Sequence, residues 1–160
     1  MSSTLQVKVD DFLSQRRIAI AGVSRNPSGG AAANGIYRRF RDLGYQVYAV
    51  NPNADEVEGD PCYHTVKDIP EHVDGVIIAT PAGAADGIVQ DCAEAGITRV
   101  WMHNGIHSLG TSVSERAVEF CQQHNISVIA GACPLMFGKT SDGFHRLVRT
   151  GMGIFGQLPN

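Results

Sequence analysis

A glycine, a hydroxyl and a guanidinium stand together near the start of the chain, in the segment Gly22-Val23-Ser24-Arg25. They follow the apolar run of residues 17–21, which is typical of a buried parallel strand. A glycine at the end of such a strand lets the backbone turn sharply and approach a ligand closely. The Gly/Ala-rich segment that follows can begin a helix, whose free N–H groups and dipole favour an anion. The pattern predicts a phosphate-binding turn, and therefore a nucleotide-type ligand.

Two catalytic motifs are present only in incomplete form. Residues 22–26 resemble the Gly-x-Ser-x-Gly nucleophile elbow, but Asn26 stands in place of the second glycine. Ser24 is therefore predicted to donate to phosphate rather than to attack a substrate. Residues 133–140 resemble a P-loop, but Cys133 replaces its first glycine and bulky apolar residues occupy the loop. We predict no catalytic residue.

Two further ligand-binding patterns lack the context that they require. His103 and His107 have the i, i+4 spacing of zinc ligands on a helix, but Gly105 lies between them, just past a predicted strand, and favours a loop. A literal Gly-x-Gly-x-x-Gly at residues 151–156 has no preceding strand and no following helix, both of which a dinucleotide site needs. No metal site is predicted.

A scaffold for the first turn is indicated by the alternation of apolar runs with helical patterns. The predicted strands are residues 17–21, 46–50, 75–79, 98–102 and 126–130, and the predicted helices are residues 4–15, 29–43, 82–95, 112–124 and 141–149. Thr111 or Ser112 is predicted to cap the helix at 112–124. Strands separated by helices imply right-handed βαβ crossovers. The predicted fold class is α/β: a doubly wound parallel sheet, Rossmann-like, of about five strands with flanking helices.

Ligands of open α/β sheets bind beyond the carboxyl ends of the strands, where the strand order reverses. Small, polar or turn-forming residues follow the predicted strands at these ends. Any one of them is explained by the end of a strand alone, but their recurrence predicts a binding site. The candidate cofactor-binding residues are Gly22, Val23, Ser24, Arg25, Asn51, Pro52, Thr80, Pro81, Asn104 and Gly105.

The dinucleotide fingerprint is incomplete at these strand ends. It requires a second glycine after the first strand and an acidic residue at the end of the second. Ser24 takes the place of that glycine, and Asn51 ends the second strand, although Asp55, Glu56 and Glu58 follow shortly. A carboxylate at the strand end would accept from a free ribose hydroxyl and would repel a ribose phosphate. Its absence disfavours NAD.

Composition limits the partners of the chain. The 160 residues carry a formal net charge of −3 without a basic run, so a nucleic-acid partner is not expected. No apolar stretch reaches the roughly 20 residues that span a membrane, and the N-terminus has no signal-peptide pattern. The four cysteines are widely spaced and are expected to be reduced. We expect a cytoplasmic protein with one domain over residues 1–160 and a C-terminal tail from about residue 138; homo-oligomerisation stays open.

Several segments, taken in order, resemble the small CoA-binding domain proteins, which are single Rossmann-like domains similar to the CoA-binding part of the succinyl-CoA synthetase α subunit. The resemblance extends over roughly residues 12–137. The segments that carry it are residues 18–25, 44–52, 74–81, 100–102 and 131–134. Family members often carry Gln-x-Gly after the strand that contains the tryptophan, whereas this chain has His103, Asn104 and Gly105 there.

The resemblance implies that CoA lies across the strand ends. It places the phosphates at residues 22–25, the adenosine beside Asn51 and Pro52, residues 80–81 alongside the ligand, and pantetheine near the turn after the fourth predicted strand. It implies a protein that binds CoA or an acyl-CoA without clear intrinsic catalytic activity. The alternative is an NAD(P)-binding oxidoreductase or a redox-sensing domain.

Two kinds of side chain leave alternatives open. Cys133 is predicted just beyond the last strand, where it would form a mixed disulfide with the CoA thiol or, as a buried cysteine in apolar surroundings, would be inert. Arg38, Arg39 and Arg41 lie on the first crossover helix and are predicted to be mostly solvated. One of these arginines could reach a 3′-phosphate of CoA, because a guanidinium suits phosphate recognition.

Overall fold

Alternating apolar strands and helices produce an α/β fold in the computed structural model, which describes residues 4–26, 32–105 and 110–137. The strands are β1 (Arg17–Ala21), β2 (Gln46–Val50), β3 (Glu56–Val57), β4 (Asp60–Tyr63), β5 (Gly75–Ile78), β6 (Arg99–His103) and β7 (Ser127–Ala132). The helices are α1 (Thr4–Leu13), α2 (Ala32–Asp42), α3 (Ala82–Glu94) and α4 (Glu115–Gln123), with short 3-10 helices at Val66–Asp68 and Pro134–Met136. The predicted α/β class is confirmed.

The sheet contains seven strands in the order β3-β4-β2-β1-β5-β6-β7, rather than about five. Its pairs are parallel except that β3 runs antiparallel to β4. These two strands escaped prediction because they are two and four residues long and lie in a turn-rich segment that contains Pro61. The chain leaves β1 towards β2 on one side and returns to β5 on the other, so the strand order reverses between β1 and β5.

Helices cover both faces of the sheet, as a doubly wound fold requires. Ile18 and Ile20 of β1 pack with α1 and α2, whereas the alanines beside them pack with α3 and α4. Trp101 of β6 is fully buried on the first face, where its Nε1 donates to the carbonyl of Ala132 at 2.9 Å. Trp101 is therefore a core residue of its strand.

The helix α4 begins later than predicted. Its N-cap is Ser114, whose hydroxyl accepts from the Ala117 N–H at 3.3 Å. The prediction of Thr111 or Ser112 is wrong because both hydroxyls have other partners: that of Ser112 donates to the carbonyl of Thr80, and that of Thr111 accepts from the N–H two residues further on. None of the described helices has the length and apolar character to cross a lipid bilayer.

Four predicted features lie outside the described residues. They are His107, the helix at residues 141–149, the Gly-x-Gly-x-x-Gly at residues 151–156 and the tail from about residue 138. The structure therefore neither supports nor opposes them.

Candidate functional site

The carboxyl ends of β1, β2 and β5 lie level with one another. Ala21 pairs with Val50 on one side and with Ile78 on the other, so the turns that follow face the same space. That space is a cleft of about 560 Å³, within the size range of small-molecule sites. We name it the strand-end cleft. Its lining residues are Ala21, Gly22, Ser24, Val50, Asn51, Pro52, His64, Thr65, Val66, Ala79, Thr80, Pro81, Ala84, Gly87, Ile88 and Asp91.

The strand-end cleft brings together predicted residues from three different strands. Those that line it are Gly22, Ser24, Asn51, Pro52, Thr80 and Pro81. Val23 is instead fully buried in the core beneath α1 and α2, and Arg25 is exposed outside the cleft. Asn104 and Gly105 follow β6, which β5 separates from β1, and they too are outside its lining.

Gly22 is required by the fold itself. Its φ of +105° is in a region that L side chains rarely adopt, and a Cβ there would lie 2.3 Å from the carbonyl oxygen of Ala79. The Gly22 N–H donates to the carbonyl of Val50 at 3.0 Å, which fixes the position of the turn against β2. The two chain segments that follow β1 and β5 thus approach so closely that only glycine fits between them.

Two asparagine side chains hold the turn after β1. Asn34, at the start of α2, is 1% exposed; its Oδ1 accepts from the Ser24 N–H and its Nδ2 donates to the Ser24 carbonyl, both at 2.8 Å. Asn51 donates from Nδ2 to the carbonyl of Val23 at 2.9 Å and accepts at Oδ1 from the Asn53 N–H at 2.8 Å. Consecutive backbone groups of the turn are therefore paired with side chains, and its shape is set without a ligand.

The Ser24 hydroxyl is the donor that this turn offers to the strand-end cleft. Because the Ser24 N–H is bonded to Asn34, that N–H is committed to the protein. The hydroxyl oxygen accepts from the Asn26 N–H at 3.1 Å, which leaves its own proton to donate. A phosphate at this position would accept from that hydroxyl.

The hydrogen bonds that hold Ser24 extend through Asn34 to the β3–β4 hairpin. Asn34 Nδ2 also donates to Glu58 Oε1 at 2.7 Å, and Arg38 Nη1 donates to the same oxygen at 2.9 Å. Glu58 has a φ of +53° and a side chain that is only 12% exposed. Neither the role of Asn34 nor that of Glu58 was predicted, because each depends on contacts between residues distant in the chain.

Arginines of α2 are engaged with the hairpin in this structure. Arg38 pairs with Glu58, and Arg41 pairs with Asp60 at 2.8 Å. The Tyr37 hydroxyl also donates to Asp60 at 2.7 Å. Hydrogen bonds from Tyr37 and Arg41, in that order, together with the nearby guanidinium charge, hold the pKa of Asp60 below its ordinary value. The described contacts of Arg38 and Arg41 favour a role in anchoring the hairpin over one in binding phosphate.

One face of α3 forms a wall of the strand-end cleft. Ala84, Gly87, Ile88 and Asp91 have the i, i+3, i+4, i+7 spacing of a single helix face. A Cβ added at Gly87 would meet open space, so the small residues of this face leave room for a ligand. The sequence-based prediction did not include this wall, because the rule for open α/β sheets indicates strand ends and not helix faces. The helical spacing of small residues is the sequence signal that indicates it.

A second wall is the segment that follows β4. Val66 supplies a buried apolar surface, and His64 Nε2 lies 2.8 Å from Asp55 Oδ1. Lys67, which follows this wall, forms an ion pair with Asp91 of α3 at 3.2 Å and thereby connects the two walls at one end. The strand-end cleft therefore combines apolar sides with polar groups at the strand ends, an arrangement that suits an amphipathic ligand.

Cys133 lies just beyond β7, as predicted, but it is buried and does not line the strand-end cleft. It packs in the cluster beneath α1 and α2 together with Leu135, Met136 and Phe137. These apolar side chains of the incomplete P-loop are thus core residues, which favours the alternative of an inert cysteine. Lys139 of that motif lies outside the described residues.

Comparison with known proteins gives a consistent family match. Residues 16–139 match a family model described as a CoA binding domain. The chain is 32% identical over 124 residues to the ADP-forming acetate–CoA ligase II of Archaeoglobus fulgidus, a match that covers 74% of this chain and 18% of the ligase. The chain spans less than a fifth of the length of the first curated ligases that it matches.

Solved structures show the same fold. A hypothetical protein from Pyrococcus horikoshii OT3 aligns with a TM-score of 0.73 at 24% identity, covering 84% of this chain and 89% of the other. The dinucleotide forming acetyl-coenzyme A synthetase 1 of Ca. Korarchaeum cryptofilum, in complex with phosphate and ADP, aligns with a TM-score of 0.64 at 27% identity, covering 77% of this chain and 27% of the synthetase.

Proposed function

This chain belongs to the CoA-binding domain family, with CoA as its cofactor, and from that premise we propose that the strand-end cleft is the CoA site. The observation that carries the proposal is the meeting of three strand ends, β1, β2 and β5, around one cleft of about 560 Å³. This cleft lies where the strand order reverses, the position at which open α/β sheets bind nucleotides. CoA and its acyl derivatives share the nucleotide part that such a cleft would hold.

The lining suggests how the ligand is oriented. The Ser24 hydroxyl donates to the phosphates, and Pro52 flanks the adenosine. The apolar surfaces of Val66 and Ile88 accommodate the adenine ring between the two walls. Pantetheine passes residues 80–81 and leaves the cleft towards the turn after β6. This placement accounts for a contribution from Asn104 and Gly105 although they do not line the cleft.

Asn51 favours CoA over NAD(P). A dinucleotide site of this fold ends β2 with a carboxylate that accepts from the ribose. Here both polar atoms of the Asn51 side chain have partners within the protein, Val23 and Asn53. The side chain thus serves the turn rather than a ribose, which weakens the alternative of an NAD(P)-binding oxidoreductase or redox-sensing domain.

The protein acts by binding, without catalysis of its own. The Ser24 hydroxyl accepts from the Asn26 N–H, and His64 pairs with Asp55, so the described contacts join neither serine nor histidine into a nucleophile–base pair. The chain corresponds to a small part of the ligases that it matches. We therefore assign it CoA or acyl-CoA binding in one domain over residues 1–160.

Isothermal titration of the full chain with CoA and with NAD tests the proposal. We expect clearly tighter binding of CoA. Gly87→Leu places a side chain in the strand-end cleft and should weaken CoA binding more than tenfold, without loss of stability because leucine favours a helix. Gln90→Leu, on the exposed side of the same helix, is the matched control and should bind as the wild type does. Tighter binding of NAD, or equal CoA affinity of both variants, would contradict the proposal.

A further inference from the structure

The contacts beneath the turn after β1 point to residues that act on the ligand indirectly. Resting on the proposed function, we propose that Asn34 and Glu58 are positioning residues that hold this turn in the shape to which the CoA phosphates bind. The contacts form a continuous path from the Ser24 backbone through Asn34 and Glu58 to Arg38, with distances of 2.8, 2.7 and 2.9 Å. Through this path the β3–β4 hairpin supports the turn after β1 by way of the helix α2.

The backbone of the hairpin supports a specific role for Glu58. Glu58 and Gly59 are the two residues between β3 and β4, and both have positive φ, +53° and +79°. Such two-residue loops favour asparagine, aspartate or glycine at both positions. A glutamate at the first position is strained, and strain of this kind is retained where surrounding contacts fix it. Those contacts are the two hydrogen bonds that the Glu58 carboxylate accepts beneath the turn.

The negative charge of Glu58 allows a positioning role to be distinguished from a direct electrostatic effect on the ligand. A carboxylate near a phosphate site repels the ligand, so an effect through charge alone would make CoA bind more tightly after Glu58 is removed. Removal also leaves the Arg38 guanidinium without the partner described here, which would again favour an anion. If Glu58 acts by positioning, its removal should instead weaken CoA binding, because the turn loses the support of Asn34.

The test compares CoA affinities of the full chain by isothermal titration. Glu58→Ala should raise the Kd of CoA roughly tenfold, the equivalent of one to two lost hydrogen bonds. Glu56→Ala, which removes an exposed carboxylate from the same hairpin, is the matched control and should change the Kd less than twofold, in proportion to weak surface electrostatics. Asn34→Ala should weaken CoA binding at least as much as Glu58→Ala. If that core variant does not fold, the Glu58 comparison decides alone.

Two further measurements separate positioning from general destabilisation. Adenosine, which has no phosphate, should bind the Glu58→Ala variant as it binds the wild type in an NMR titration. Asn34→Asp removes the donor both towards Glu58 and towards the Ser24 carbonyl. Adding Glu58→Gln supplies a donor in the reverse direction for the first of these contacts, so the double variant should regain part of the CoA affinity.

Unchanged or tighter CoA binding by Glu58→Ala, or an equal loss of adenosine and CoA affinity, would overturn the proposal for these two residues. It would leave the proposed function intact, because wild-type binding of CoA is measured in the same series. A wild-type chain that does not bind CoA would instead overturn the proposed function, and this inference with it.

Discussion

The turns that follow β1 and β6 both begin at the carboxyl end of a parallel strand, and both carry small and polar residues, yet they are held by different kinds of contact. Side chains hold the first: Asn34 pairs with the backbone of Ser24, and Asn51 pairs with the carbonyl of Val23. In the second, backbone groups join the two ends: the Gly105 N–H donates to the carbonyl of Gly110 at 3.0 Å, and the Ser112 N–H donates to that of His103 at 2.8 Å.

The difference shows that residue type at a strand end does not decide which turn lines the strand-end cleft. The turn after β6 is closed by its own backbone, with Asn104 bridging to Thr111 in antiparallel fashion, and it lies one strand further from the reversal of strand order. The turn after β1 lies at that reversal. There it is fixed by neighbours from α2 and β2, and its serine hydroxyl is left to face the strand-end cleft.

Substitution of one glycine near each turn should have the largest effect. Gly22→Ala combines an unfavourable φ with a Cβ 2.3 Å from the Ala79 carbonyl oxygen and should cost about 3 kcal/mol or more. Gly131→Ala, beside the turn after β6, shares a positive φ of +98° but has no atom closer than 3.8 Å to the added Cβ. It should cost only the backbone strain, about 1–3 kcal/mol. Urea denaturation measures both, and equal costs would remove the distinction.

The CoA affinity should respond more strongly to a polar side chain of the turn after β1 than to one of the turn after β6. Ser24→Ala removes the hydroxyl proposed to meet the phosphates and should cost on the order of 1.5–3 kcal/mol of binding free energy. Asn104→Ala, in the turn after β6, should change the CoA affinity far less, because its residue is outside the lining of the strand-end cleft. Isothermal titration of both variants checks this, with thermal unfolding as the control for folding. A larger loss from Asn104→Ala would reverse the comparison.

The smallest expected effect concerns acid stability. The pKa of Asp60 is below its ordinary value of 3.8 in the folded chain, with the Tyr37 hydrogen bond as its first favourable cause, followed by Arg41. A lowered pKa contributes stability that is present above pH 3.8 and is lost as the pH falls through the folded value. Asp60→Asn should therefore flatten the fall in the free energy of unfolding below about pH 4. Urea denaturation from pH 5 to pH 3 measures the slopes, and identical slopes for Asp60→Asn and wild type would contradict the assignment.

The central strands were predictable because a strand that is buried on both faces has a continuous apolar sequence. Residues 17–21 and 46–50 form β1 and β2 with the predicted ends. The edge pair β3 and β4 was not predictable by that signal, since its strands are two and four residues long and include Glu56, Asp60 and Pro61. Its hairpin depends on a two-residue loop that begins with Glu58. Glutamate is not among the residue types that indicate such a turn.

The site was predictable where it depends on topology and not where it depends on packing. The rule that ligands lie beyond strand ends selected Ser24, Asn51 and Thr80, which line the strand-end cleft. It also selected Asn104, which lies outside that lining, because the position of β6 relative to the strand reversal follows from the strand order, which the sequence does not state. The role of Asn34 could not be predicted for another reason. An asparagine on a helix is expected at the surface, and only the structure shows that this one bonds to the backbone of Ser24.

The hydrogen bond between Ser24 and Asn34 makes one backbone hydrogen a measure of how the turn opens. The amide hydrogen of a residue in an ordinary exposed turn exchanges rapidly with deuterated water, whereas one bonded to a buried group exchanges only when the surrounding structure opens. The Ser24 amide donates to a side chain that is 1% exposed, so it should be protected although it lies in a turn. Its exchange rate in the ligand-free protein therefore gives the free energy of the opening that breaks this one hydrogen bond.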